Sequence, residues 1–203
     1  MRKYFLCKII IALVLIGFSQ NLLHAQYFSG GILVGFTASQ IDGDQMVGYD
    51  KLGFSGGIFV RYQFTEKIAL ESELKYIMKG AARNDSLAQN SYKLSLNYFE
   101  IPVLFNYRFA KRFEGEVGFA TALLAKATQI LPEGDFSYAG VDNLDFSYVL
   151  GINYLVTKKL RLNLKFSHSV RAVSHNLPTN ITFFGSNGGQ FNNVLEFVVK
   201  FTL

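Results

Sequence analysis

Glu71 and Glu73 stand two residues apart in the segment Ile68-Ala69-Leu70-Glu71-Ser72-Glu73-Leu74-Lys75. Two carboxylates on one face are what acid–base hydrolysis of a glycosidic bond requires. Side chains two apart on an extended strand share a face, so the pair is geometrically admissible. The same alternation brings Lys75 onto that face, and buried charges need partners, so an interior salt network is favoured over a catalytic pair. Ser167-His168-Ser169 poses a second question. Nucleophilic catalysis needs serine and histidine within hydrogen-bond reach and a third group to orient the base. Neighbours on a strand point opposite ways, which sends His168 to lipid or its interface and both serines inward. A lipid-modifying active site is therefore disfavoured; His168 and His175 are the only histidines beyond residue 25.

Asp42-Gly43-Asp44, with Asp50 close by, resembles a fragment of a calcium loop. It lacks the ligand series that ends in a bidentate glutamate, and Asp-Gly is an ordinary turn former. Gly56-Gly57 and Gly188-Gly189 lack the strand-to-helix setting of a phosphate loop. No catalytic residue, metal site or cofactor is expected, and the chain is not read as an enzyme.

The elements that must carry these residues are strands. From Leu52 to Phe64 one phase reads Leu52, Phe54, Gly56, Ile58, Val60, Tyr62, Phe64 and the other Gly53, Ser55, Gly57, Phe59, Arg61, Gln63. Period-two segments recur at 30–39, 52–64, 68–80, 92–109, 113–127, 144–155, 160–171 and 191–203, each long enough to cross a bilayer as a tilted strand. The connections at 65–67, 110–112 and 156–159 are short. Those at 40–51, 81–91, 128–143 and 172–190 are long and rich in Gly, Asn, Asp and Ser. Short periplasmic turns, longer external loops and an even strand number describe an all-β, eight-stranded antiparallel up-and-down transmembrane β-barrel.

Charges gather on one phase. Arg61, Glu71, Glu73, Lys75, Glu100, Arg108, Glu114, Glu116, Arg161 and Lys165 fall together and are expected to form a lumen charge network; Lys79, Lys93, Lys126, Arg171, Glu196 and Lys200 are assigned the same phase. The opposite phase is continuous, aromatic and too extensive to fit a single narrow lumen. Lipid is therefore expected outside and charge inside. In the fourth strand, Tyr92, Leu94, Leu96 and Tyr98 read as outward, then Phe99, Ile101, Val103, Phe105 and Tyr107 do, which suggests a β-bulge beside Pro102. Aromatic residues near the strand ends suit interfacial girdles.

Arg2, Lys3 and Lys8, the apolar run from Ile9 to Phe18 and Leu23-His24-Ala25 have the layout of a secretory signal peptide cleaved after Ala25. Residues 1–25 are expected to leave and 26–203 to form one barrel domain. The three basic residues of the signal account for much of the formal net charge of +5, so no nucleic-acid partner is implied. Cys7, the sole cysteine, leaves with the signal, which excludes a disulfide scaffold and thiolate metal sites.

Gly30-Gly31-Ile32-Leu33-Val34-Gly35, Gly57-Ile58-Phe59-Val60-Arg61-Tyr62, the segment from Ile68 to Gly80 and above all Leu96-Asn97-Tyr98-Phe99-Glu100-Ile101-Pro102-Val103-Leu104 resemble the PorT-like outer-membrane β-barrel family of Bacteroidota. The resemblance implies a porin-like barrel of the Gram-negative outer membrane, for some members linked to secretion, and carries no catalytic residues. The alternating Phe197, Val199, Phe201 and Leu203 would suit recognition by barrel-assembly machinery. Eight strands leave a lumen just wide enough for its own side chains. The expected role is a surface binding or structural protein acting through external loops in outer-membrane lipid. A narrow porin-like channel or secretion-associated component is the alternative, and a secreted soluble barrel is disfavoured by the phase of its charges.

Overall fold

The structure, a computed structural model, describes residues 27–43, 48–83, 92–131, 134–137, 140–174 and 189–203. The signal segment, Asp44, His175 and Gly188 lie outside them. Nine strands follow in order: β1 Phe28–Asp42, β2 Lys51–Gln63, β3 Ile68–Arg83, β4 Tyr92–Arg108, β5 Phe113–Leu131, β6 Gly134–Ser137, β7 Leu144–Leu155, β8 Leu160–Ser169 and β9 Phe191–Thr202. Every pairing is antiparallel. β1 pairs with both β2 and β9 and β4 with both β3 and β5, so eight strands close into a barrel. The extra strand, β6, pairs only with the end of β5, from Thr128↔Ser137 to Leu131↔Gly134. It is a hairpin standing above the ring, in a segment the sequence reads as loop.

The short turns explain the register of the hairpins they join. Thr65 Oγ1 accepts from the backbone N–H of Lys67 and Ile68, at 3.2 and 3.1 Å, and Thr157 Oγ1 does the same for Lys159 and Leu160. A threonine hydroxyl holding two amides fixes each turn locally. Inside, the wall is curved so tightly that some positions admit no side chain. A Cβ on Gly118 would lie 2.0 Å from the Val103 carbonyl oxygen. Gly118→Val is therefore expected to lower the refolding yield sharply; the fraction of heat-modifiable barrel on denaturing gels measures it, and a wild-type yield would contradict this packing.

The two phases separate as an inverted barrel. Ile32, Val34, Phe36, Ile58, Val60, Val103, Phe119, Leu150, Leu164 and Phe197 are exposed on the outer wall, whereas Glu71, Lys79 and Lys200 are wholly buried inside. The fourth strand corrects the expectation. Its phase never slips: Leu94, Leu96 and Tyr98 are buried in line with Glu100 and Leu104, and Phe99, Ile101 and Val103 are exposed throughout. Leu94, Leu96 and Tyr98 join Ile41, Ile77, Ala81 and Ala122 in an apolar plug at the external end of the lumen. At this end of β4 the polar Lys93, Ser95 and Asn97 take the outer phase and the apolar residues turn in. The irregularity lies instead in β5, where Asn97↔Lys126 is followed by Tyr98↔Leu124, leaving Ala125 unmatched.

That bulge carries Lys126 to the outer phase. Both it and Lys93 are exposed rather than in the lumen. Arg171 also leaves the expected row, since β8 ends at Ser169 and its guanidinium meets Asp142 at 3.1 Å between external connections.

Candidate functional site

Ten residues expected to share the lumen come together there, and the row is completed by Lys79, Asp145, Glu196 and Lys200. Seven cations, Arg61, Lys75, Lys79, Arg108, Arg161, Lys165 and Lys200, meet seven carboxylates, Glu71, Glu73, Glu100, Glu114, Glu116, Asp145 and Glu196. Lys200 is the hub, with Nζ 2.6 Å from both Glu71 Oε1 and Glu73 Oε1 and 3.8 Å from Glu116 Oε2. Glu71 also takes Arg161 at 2.8 Å and Arg61 at 3.5 Å. Glu73 takes Lys165 at 2.5 Å and Lys75 at 3.5 Å. Each carboxylate is thus bound by three cations. That arrangement suits a structural junction and leaves neither group placed to accept or deliver a proton.

The column continues toward the external end. Lys75 reaches Glu196 at 2.6 Å and Glu100 at 3.3 Å, and Lys79 joins Glu100 at 2.7 Å to Asp145 at 3.0 Å. Toward the short turns, Glu114 holds Arg61 at 3.1 Å and Arg108 at 2.8 Å. Glu116 is held mainly by amides, accepting from Asn153 Nδ2 at 2.9 Å and Asn163 Nδ2 at 3.0 Å. Two cations also lie over rings, Arg161 over Phe59 at 5.0 Å and Lys79 over Tyr98 at 5.1 Å. Such contacts offset part of the desolvation of a buried cation. Asp145 escaped the sequence reading although it shares the inward phase with Ser147 and Val149. The phase of β7 was the signal that could have found it.

Ser167, His168 and Ser169 do not converge. His168 is on the outer phase, but it is buried rather than open to lipid, stacked on Phe191 at 5.9 Å and beside Tyr148 at 5.6 Å. Ser169 points inward, donates to Asp145 at 2.7 Å and accepts from the Asn192 amide at 3.1 Å. The external rim is sewn together above this point. Val141, Ser174 and Gln190 form successive bridges, and Tyr49 donates to Asn193 Oδ1 at 2.8 Å. Burial raises the Tyr49 hydroxyl above its ordinary value, which keeps it a donor. Gly43 has a φ of 96°, a left-handed turn that accounts for the Asp-Gly pair in its own terms.

Outside, the rings form the girdle that the strand ends suggested. Tyr62 packs on Phe28 and Phe64, each at 4.7 Å, and Phe113 lies between Phe109 at 6.3 Å and Tyr154 at 5.2 Å. All of these belong to the end that carries the short turns.

A sequence profile of the outer membrane protein beta-barrel domain matches residues 18–174. Among curated protein sequences none matches this one. Among solved structures, Neisserial surface protein A is similar over 86% of this chain and 97% of its own, with a TM-score of 0.58 and 13% identity. The attachment invasion locus protein Ail of Yersinia pestis is similar over 86% of this chain and 98% of its own, with a TM-score of 0.51 and 11% identity. At those identities the likeness is one of fold.

Proposed function

The chain belongs to the outer membrane protein beta-barrel domain family, and from that premise we propose that it is a closed surface protein of the outer membrane, acting through its external loops in binding or in structural support. One observation carries the reading: fourteen ionisable side chains fill the barrel as mutually paired charges, with the Tyr98 and Leu96 plug above them. An aqueous path would have to hydrate these groups, yet Glu71, Glu73, Lys79 and Lys200 are essentially inaccessible. With the lumen filled, the loop-bearing end is the part left for recognition. The narrower PorT-like affiliation rests on the block Tyr98-Phe99-Glu100-Ile101-Pro102, in which Tyr98 and Glu100 both serve the closed interior.

Delivery to the membrane by cleavage after Ala25 and insertion by barrel-assembly machinery belong to the same reading. In support of the second, Phe197 and Phe201 stand exposed on the outer phase of β9, and Leu203 is exposed just after it. Single-channel recording of the refolded residues 26–203 in a planar bilayer tests the closed lumen. Silence at all holding potentials is the expected result. Stable unitary steps would replace this reading with the narrow channel.

A further inference from the structure

The end bearing the short turns has a chemistry that the closed lumen does not use. The turn segments 64–67, 109–112 and 156–159 carry Lys67, Lys111, Arg112, Lys158 and Lys159 against one side-chain carboxylate, Glu66. Two of those turns face each other across a cleft of about 270 Å³ lined by Glu66, Lys67, Arg108, Phe109, Ala110 and Lys111. The Arg108 amide donates to the Lys67 carbonyl at 2.7 Å, which ties the two turns together beneath the cleft. Arg108 is the link between lumen and cleft. Its Nε and Nη2 both bond Glu114 Oε1, at 3.1 and 2.8 Å, leaving Nη1 without an acceptor among the described residues while a third of the side chain stays exposed.

The position of the cleft selects its occupant. Phe109, largely exposed and stacked on Phe113, sets the cleft at the edge of the aromatic girdle. Aromatic belts sit at headgroup level, so lipid phosphates lie beside such an edge. Guanidinium and ammonium groups pair with phosphate oxygens through charge-assisted hydrogen bonds. We propose that the cleft between the β2–β3 and β4–β5 turns holds the phosphate headgroup of an anionic phospholipid of the periplasmic leaflet. Arg108 Nη1 and the ammonium groups of Lys67 and Lys111 bind the phosphate, and Phe109 lies along the upper acyl chain. Glu66 at the rim disfavours a second negative charge.

The test uses the refolded barrel in nanodiscs of phosphatidylcholine doped with phosphatidylglycerol, with native mass spectrometry counting the lipid that stays bound. Wild type and the Lys158→Gln/Lys159→Gln variant, which alters the turn outside the cleft, are expected to retain phosphatidylglycerol in preference to phosphatidylcholine. Lys67→Gln/Lys111→Gln makes the same change in charge and is expected to lose that preference by about fivefold per lysine. Heat-modifiable migration establishes that both variants are folded. Equal retention by the two variants would overturn the proposal in favour of a diffuse basic surface. A parallel titration of inorganic phosphate into phosphatidylcholine discs separates the sources. Saturable perturbation of the Arg108 side-chain NMR signals at micromolar phosphate would mean a soluble anion site and would overturn the lipid assignment, whereas no response below the millimolar range is the expected outcome.

Discussion

Lys200→Met is expected to destabilise the barrel by about 3–5 kcal/mol, because it removes one partner of a buried ionic cluster and leaves the others in place. The ammonium group is wholly buried and lies 2.6 Å from carboxylates on two positions of β3. Without it, Glu71 keeps Arg161 and Arg61, and Glu73 keeps Lys165 and Lys75, but seven carboxylates face six cations around a centre buried from bulk solvent. Met keeps the length of the side chain, which limits the part of the loss due to an empty space. Glu116→Ala is expected to cost less, about 1–3 kcal/mol, since Glu116 loses two amide hydrogen bonds and only a distant cation at 3.8 Å. Urea unfolding in lipid vesicles measures both, with Lys159→Met in an exposed turn as the comparison. Should Lys200→Met unfold at the same urea concentration as Lys159→Met, the lumen must hydrate its charges and the closed-barrel reading fails.

The hub of that cluster shows what a sequence can and cannot disclose. That Lys200, Glu71 and Glu73 face inward follows from period two alone, since the opposite phase beside them carries Leu70 and Leu74 on β3 and Val199 and Phe201 on β9. Which of them touch does not follow, because Lys200 and Glu71 are 129 residues apart and Lys165 and Glu73 are 92 apart. Their meeting depends on strand tilt and stagger, which couple all eight strands at once. The misreading of β4 has a different cause. The rule that apolar residues face lipid sends Leu94, Leu96 and Tyr98 outward, whereas at this end of β4 the apolar phase packs into the plug. The β5 bulge had no signal in Ala122-Leu123-Leu124-Ala125, a run in which either phase is equally apolar. Period two gives the outer phase of His168 but not its surroundings, since the ring of Phe191 that covers it comes from a strand more than twenty residues later.

Leu164→Arg is expected to block stable insertion, with Ile58→Arg behaving alike and Val156→Arg folding. Leu164 is about half exposed on the outer wall, flanked in register by Ile152 on β7 and Phe197 on β9. It stands two residues above Leu162, the partner of the girdle residue Tyr154, and so lies inside the apolar band. An arginine near the midplane of the lipid face costs about 2–4 kcal/mol, falling to about 0–1 near an interface. Ile58, exposed between Val60 and Phe54 on β2, meets the same medium on a different part of the wall. Val156 sits in the turn after β7, where a guanidinium reaches the headgroups without crossing hydrocarbon. The three variants add the same charge and nearly the same volume, so the comparison isolates depth in the bilayer. Refolding into phosphatidylcholine vesicles, scored by the heat-modifiable fraction, gives the readout. If Leu164→Arg and Ile58→Arg fold as fully as Val156→Arg, the outer wall does not face lipid and the inverted arrangement of the barrel is wrong.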